Sequence, residues 1–396
     1  MITWNNALEL IFKNTKTLGI QKTKVTESVG KILAEDIYSS INMPPFNKSA
    51  MDGYALSGSN AKKLKCIGTI QAGDVFTKKV RSKECVKIMT GACVPSDIDR
   101  IVKVEDTHQL EKNQITIKPV KKLANICFKG EDIKKGQKVL NKGTKISTSH
   151  INLLAAVGKA YIFTVKKPKV AILNTGNEIV SAGKKLKKNK IYNSNGPQLE
   201  SLLKDDNIDY VFLGIAKDKP KQLSNYIKKG LECDMLLITG GVSMGDYDLV
   251  PDALKNLGVK NIFHKVKIKP GKPVFFGIKS KTIIFGMPGN PVSIFLSYQL
   301  FIRSALRKMM GYKKCQPKFN AGTFTQDFVK KSTRRQFISV KISEIRGRIF
   351  LTPVKGNGSA DIFSLSKTDG FMAIEEKLHI VKKNSLNNFI TWKKIP

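Results

Sequence analysis

Three short runs, Val170-Ala-Ile-Leu173, Tyr210-Val-Phe-Leu213 and Met235-Leu-Leu-Ile238, are apolar at nearly every position. A half-exposed strand alternates apolar and polar residues, so a strand that does not alternate is covered on both faces, as in a parallel sheet. Around these runs lie stretches with helical spacing at about 197–206, 220–232, 249–257 and 291–310. Strand and helix alternating in this way predict βαβ crossovers and a doubly wound α/β sheet.

The remainder of the chain has other rhythms. Trp4, Ala7, Leu8, Ile11 and Phe12 form one face of an amphipathic helix, with Thr3 placed to cap it. A second short helix is expected at about 149–157. Residues 45–127 carry short β-like runs, such as Cys85-Val-Lys-Ile-Met89 and Arg100-Ile-Val-Lys-Val104, broken by Gly, Pro and Asp, and read as an inserted β module. Lys166-Lys-Pro-Lys169 links into the α/β part. After Gly311 a period of about two returns, in Phe337-Ile-Ser-Val-Lys-Ile342 and Ile349-Phe-Leu351, which predicts a small C-terminal β-barrel or sandwich. A length of 396 residues suits two to four such units.

In an open α/β sheet the ligand crevice lies outside the carboxyl ends of the strands. Three glycine-rich, acid-bearing loops fall there: Asn174-Thr-Gly-Asn-Glu-Ile179, Thr239-Gly-Gly-Val-Ser-Met-Gly-Asp-Tyr-Asp248 and Gly286-Met-Pro-Gly-Asn-Pro-Val-Ser293. Gly240, Gly241 and Gly245 let backbone amides approach a phosphate without a Cβ in the way. Asp246 and Asp248 beside such a loop would repel an anion unless a hard cation such as Mg²⁺ sits between them. The alternative is that one of the two caps the helix near 249. Glu178 faces the same crevice, and Asn290 as N-cap with Pro291 at N1 would leave free amides as an anion site, shaped by Pro288 and Gly289. Period-two alternation puts Lys265, Lys267 and Lys269 on one strand face, either as a solvated face or as cations for the crevice. Asp52-Gly53 and Thr90-Gly91 are explained locally by turn chemistry, and spacing alone makes neither catalytic.

Composition excludes several classes. No apolar stretch approaches twenty residues, so a membrane span is not expected. The first thirty residues do not read as a signal peptide, which makes the cytoplasm the expected location. Six cysteines without C-x-x-C spacing and four histidines give no structural zinc site. The net charge of +38 comes from lysines spread through nearly every segment rather than a basic stripe, so solvated lysines are favoured over a nucleic-acid surface.

Taken in order, Ser49-Ala-Met-Asp-Gly-Tyr-Ala55, Met89-Thr-Gly-Ala92, Gly130-Glu-Asp132, Thr175-Gly-Asn-Glu178, Gly240-Gly-Val-Ser-Met-Gly245, Lys269-Pro-Gly-Lys-Pro273 and Pro288-Gly-Asn-Pro-Val-Ser293 resemble the molybdopterin molybdenumtransferase family, MoeA, to which the E domain of gephyrin also belongs. The resemblance covers essentially the whole chain. It implies a four-part protomer: a helical and β stem at 1–44 and 128–167, the inserted β module at 45–127, a molybdopterin-binding α/β domain at 168–316 and a C-terminal β domain at 317–396. It also implies a homodimer whose active site is shared between one protomer's α/β domain and its partner's inserted module, so that Asp52 and Thr90 act in trans.

The implied reaction is insertion of molybdate into adenylyl-molybdopterin, with Mg²⁺-dependent cleavage of the adenylate and release of molybdenum cofactor and AMP. A transient contact with molybdopterin adenylyltransferase is a further implied partnership. By motif position the resemblance makes Asp52, Thr90, Asp132 and Glu178 catalytic, and Glu178, Asp246 and Asp248 metal-binding. Asp234, Gly240, Gly241, Ser243, Asp248, Lys265, Lys269, Pro288, Gly289, Asn290, Pro291 and Ser359 would hold substrate. Where many relatives carry an arginine-rich stretch before Gly-Glu-Asp, this chain has Cys127-Phe-Lys129, which keeps a charge but not the bidentate fork. The competing expectations are a non-catalytic molybdopterin-binding scaffold of the same fold and a basic nucleic-acid-binding protein.

Overall fold

A computed structural model describes residues 1–58, 61–242 and 249–393. The chain divides into two compact units, one made of Met1–Gln21 with Thr164–Pro396 and the other of Lys22–Phe163.

The larger unit is built on a six-stranded sheet in the order Asp209–Ala216, Lys169–Thr175, Met235–Thr239, Thr282–Met287, Pro273–Lys279, Lys260–Lys265. The first four strands run parallel, Pro273–Lys279 runs antiparallel to its neighbours on both sides, and Lys260–Lys265 therefore runs in the direction of the first four. The absence of alternation in Lys169–Thr175 follows from its place inside this sheet. Val170 and Ile172 enter one apolar cluster with Leu199 and Leu203, whereas Ala171 and Leu173 enter another with Leu223, Ile227, Val250 and Leu254. The helix Asn195–Asp205 therefore covers one face, and Pro220–Gly230 and Leu249–Asn256 cover the other. The predicted helix at 291–310 is one helical run, Pro291–Ser297, Tyr298–Ile302 and Arg303–Met309, whose middle segment is a π-turn. The amphipathic helix Trp4–Asn14 is capped as expected, with Thr3 Oγ1 accepting from the Asn6 amide at 3.2 Å, and buries Ala7, Leu8 and Ile11 in the same cluster as Val170.

The period-two stretches after Gly311 close into a barrel. Arg335–Ile345, Arg348–Pro353, Asn320–Phe324, Leu386–Thr391 and Gly370–Ile374 pair in that order, and Gly370–Ile374 pairs back onto Arg335–Ile345. Phe324, Val340, Leu351, Met372 and Phe389 fill its interior. Closure leaves no free edge among these strands.

The smaller unit holds a six-stranded mixed sheet in the order Arg100–Lys103, Gly53–Leu56, Glu84–Ile88, Lys63–Ile70, Gln114–Ile117, Thr107–Glu111. Its helix Thr148–Ala156 packs Leu154 against Val25, Leu33, Leu140 and Ile162. Gly53 is not a turn glycine, as local chemistry suggested. It begins a buried strand, and a Cβ there would lie 2.1 Å from the Val102 carbonyl oxygen. Gly53→Ala is expected to destabilise this unit by roughly 1 to 3 kcal/mol or more, because a backbone atom cannot yield as a side chain does. Gly19→Ala, with nothing within 4 Å of the added Cβ, should stay within about 0.5 kcal/mol. Urea unfolding of the two variants makes the comparison, and equal midpoints would refute it.

Candidate functional site: the crevice of the α/β sheet and an adjoining cationic cavity

The strands Lys169–Thr175, Met235–Thr239 and Thr282–Met287 end side by side, which brings three of the predicted loops together. The Asn174 side-chain amide donates to Thr239 Oγ1 at 2.5 Å, the Thr175 hydroxyl to the Thr239 carbonyl at 3.3 Å, and the Gly240 amide to the Met287 carbonyl at 3.1 Å. Gly240 has φ +84°, and a Cβ on it would lie 2.4 Å from the Thr175 carbonyl oxygen. This glycine is demanded by the approach of one loop to the next, independently of any ligand. Glu178 is exposed, with its carboxylate folded back over Gly176. Around it, Lys190 and Lys217 donate to the Asn177 carbonyl at 2.9 and 3.3 Å, and the Asn177 amide donates to Asp218 at 3.1 Å. Ser243, Gly245, Asp246 and Asp248 lie outside the described residues. Among the described residues no three His, Cys, Asp or Glu side chains are grouped to hold a metal.

Asn290 occupies the N-cap position and Pro291 follows at N1, but the Asn290 side chain does not close the helix. Instead its Nδ2 donates to Ser359 Oγ at 2.9 Å, while the Val292 amide donates to the Ser359 carbonyl at 3.1 Å. The start of this helix is thereby tied to the segment after the barrel strand Arg348–Pro353. On the other side the Asn195 side-chain amide donates to the Gly289 carbonyl at 2.9 Å.

Beside this helix start opens a cavity of about 900 Å³ whose walls include Lys269, Lys272, Arg334 and Lys355, with Pro288, Asn290, Ser293 and Ser359. None of its described lining residues is a carboxylate. Four cationic residues and several serines line one space, which is a donor set suited to an oxyanion, whereas the Val292 amide that the helix start was expected to leave free is taken by Ser359.

The structure separates the lysines that alternation placed on one strand. Lys260–Lys265 ends at Lys265, Val266 and Ile268 are buried, and Ile268–Lys269 pairs with the barrel strand Arg335–Ile345 instead. Lys269 consequently reaches the cavity, Lys267 pairs with Glu376 at 2.8 Å, and Lys265 is not among the lining residues. Asp234 is not brought to the crevice either. It precedes Met235–Thr239, at the opposite end of the sheet, where its carboxylate accepts from the Lys169 amide at 2.9 Å and it borders a smaller cavity with Lys13, Lys166 and Lys281.

In the smaller unit, Asp52 and Thr90 are brought into contact. Asp52 Oδ1 accepts from the Thr90 amide at 2.7 Å and from its hydroxyl at 2.9 Å. The Thr90 amide first, and then its hydroxyl, hold this exposed carboxyl below the ordinary aspartate value. Asp52 is thus a fixed anion at neutral pH rather than a proton donor. Asp132 is exposed in a turn anchored by its amide to the Met43 carbonyl at 3.0 Å, and the Lys129 amide is held by Asn47 Oδ1 at 2.8 Å.

Sequence reasoning missed Lys272, Arg334 and Asn195. Lys272 follows Gly271, whose φ of +86° turns the chain back beside Lys269, and the Lys-Pro-Gly-Lys-Pro string carried that signal. Arg334 reaches the cavity because Arg335–Ile345 docks on Ile268–Lys269, and its guanidinium donates to the Ile268 carbonyl at 2.9 Å. No local pattern announces a docking between segments so far apart.

Residues 2–158 match the MoeA N-terminal region (domain I and II), residues 171–308 the family described as "Probable molybdopterin binding domain", and residues 321–390 the MoeA C-terminal region (domain IV). The molybdopterin molybdenumtransferase of a Staphylococcus epidermidis strain is 32% identical over 382 residues, which is 94% of this chain and 91% of that protein. That of a Staphylococcus aureus strain is 32% identical over 369 residues, 91% of this chain and 88% of that one. The crystal structure of the molybdopterin biosynthesis MoeA protein of Pyrococcus horikoshii superposes with a TM-score of 0.84 at 31% identity and covers 100% of both chains. A shared order of domains and a shared backbone over the full length leave one assignment: the chain belongs to the MoeA family of molybdopterin molybdenumtransferases, which are transferases.

Proposed function

We propose that the chain inserts molybdate into adenylyl-molybdopterin, cleaving the adenylate in a Mg²⁺-dependent step and releasing molybdenum cofactor and AMP. The observation that carries the proposal is the cavity in which Lys269, Lys272, Arg334 and Lys355 converge with no carboxylate among its described lining residues. A tetrahedral dianion fits that charge and donor set, and the glycine loops at the strand ends leave room beside it for the other substrate. Mg²⁺ keeps several waters and takes one or two carboxylates together with substrate phosphates. The exposed Glu178, beside those loops, suits that donor set. In this reading Lys269 and Lys272 neutralise the oxyanion, Asn290 and Ser359 fix the loop that faces it, and Glu178 orients the phosphates. The chain works as a homodimer, with Asp52 and Thr90 supplied by a second copy.

Incubating the purified protein with adenylyl-molybdopterin, Mg²⁺ and molybdate, and following AMP, tests the activity directly. No molybdate-dependent AMP would overturn it.

The two strand lysines provide an internal control. If Lys269 neutralises a bound oxyanion, Lys269→Ala leaves part of its charge uncompensated and should cost roughly 2 to 5 kcal/mol in transition-state stabilisation. Lys267, paired with Glu376 at the surface, should cost no more than about 1 kcal/mol when replaced by Ala. The molybdate dependence of AMP release for the two variants decides, and equally small effects would remove Lys269 from the site.

A further inference from the structure

The sheet of the smaller unit holds a pair of thiols that the proposed reaction does not use. Lys63–Ile70 and Glu84–Ile88 run parallel, and Cys66 stands directly opposite Cys85 in their register. Neighbouring strands lie about 4.8 Å apart, inside the roughly 4.4 to 6.8 Å between the Cα atoms of disulfide-bonded cysteines. Both side chains belong to one apolar cluster with Tyr54, Leu64 and Val102, so both project to the same face. Cys85 is fully buried, whereas Cys66 is partly exposed, with its thiol donating to the Gly68 carbonyl at 3.3 Å.

We infer that Cys66 and Cys85 are a thiol-modification site that closes to a disulfide when the protein meets a peroxide. The two thiols are unequal in the way such a site requires. Cys85 beside it draws the Cys66 thiol down against the effect of burial, and Cys85 is pushed up, first by Cys66 and then by burial. The thiols of Cys127, Cys233 and Cys315 are all shifted the other way, first by burial. A partly exposed cysteine of lowered thiol value, next to a buried resolving thiol, is the arrangement of oxidation-sensitive cysteines.

The chemistry balances without a further reactant. The Cys66 thiolate attacks one peroxide oxygen, the O–O bond breaks, and the other oxygen leaves as hydroxide, or as alkoxide from an alkyl peroxide. Cys66 is now a sulfenic acid. The Cys85 sulfur then attacks the Cys66 sulfur, the S–O bond breaks, and the hydroxyl leaves as water with the Cys85 proton. Two thiols have lost two electrons in total, and the peroxide has gained them. The bond staples Lys63–Ile70 to Glu84–Ile88, the strand that leads into Thr90.

Treatment of the full-length chain with hydrogen peroxide, then alkylation and peptide mapping by mass spectrometry, tests the site. The expected product is a linked pair of peptides containing Cys66 and Cys85, lighter by two hydrogens and separated again by dithiothreitol. In Cys85→Ser, Cys66 should accumulate as a sulfenic acid that dimedone captures. In Cys66→Ser, oxidation of Cys85 should be slower by roughly tenfold or more than that of Cys66 in the wild-type chain, since Cys85 is fully buried. The inference fails if oxidised Cys66 is recovered only as sulfinic acid or joined to another cysteine while Cys85 remains free. Should Cys85→Ser not fold, the map of the wild-type chain decides alone.

Discussion

Asp52→Asn is expected to lower molybdate-dependent AMP release by roughly 10²- to 10⁴-fold, the range for removing a charged group from the reacting centre, while leaving the fold unchanged. The carboxylate sits in solvent with Thr90 as its partner, and an asparagine Oδ1 can still accept from the Thr90 amide that now lies 2.7 Å away. Only the charge is removed. Circular dichroism and a melting curve would confirm the fold, and a wild-type rate of AMP release would remove Asp52 from the mechanism. The pH dependence follows with its sign. Because the folded-state value of Asp52 is depressed, first by the Thr90 amide, its contribution is complete above the ordinary aspartate value. It disappears only as pH falls through the lower folded value. An acid limb in the activity profile within or above the ordinary carboxylate range therefore belongs to a different group, and it should persist in whatever residual activity Asp52→Asn retains.

The α/β domain was legible because its signal is local and strong. Lys169–Thr175 buries alternate residues in two different clusters, and an uninterrupted apolar run states that directly. The glycine loops were legible in place but less so in cause: Gly240 is fixed by the Thr175 carbonyl and Gly53 by the Val102 carbonyl. A sequence records that glycine is needed and not whether a ligand or a neighbouring strand needs it. The lysines show the limit most clearly. Period-two alternation holds only while a strand continues, and the chain leaves the sheet after Lys265 to pair Ile268–Lys269 with the barrel. Lys267 then meets Glu376, and Lys269 meets the cavity. Arg334 and Lys355 come to the same space from the barrel, through contacts between segments that share no pattern. Asp234, which motif position grouped with the crevice, sits at the opposite end of the sheet because it precedes its strand rather than following it. Charge identity was readable residue by residue, whereas charge convergence depended on tertiary docking.

Glu178→Gln is expected to reduce AMP release as strongly as Asp52→Asn, and together the two variants test whether the site is shared between subunits. Asp52 belongs to the unit formed by Lys22–Phe163, and Glu178 to the unit that includes Thr164–Pro396. If each site draws Asp52 from one chain and Glu178 from the other, a mixed dimer of the two inactive variants contains one site with both carboxylates intact and one with neither. Random exchange between the variants should then restore roughly a quarter of the wild-type rate, since half of the dimers are mixed and half of their sites are whole. If both carboxylates act within one chain, every site in the mixture lacks one of them, and no exchange can restore turnover. Mass spectrometry of the intact assemblies would establish that exchange occurred, after which the rate of AMP release separates the two arrangements. Because a charge-to-amide change keeps the side-chain volume nearly constant, failure to recover activity in demonstrably mixed dimers would count against the shared site rather than against folding.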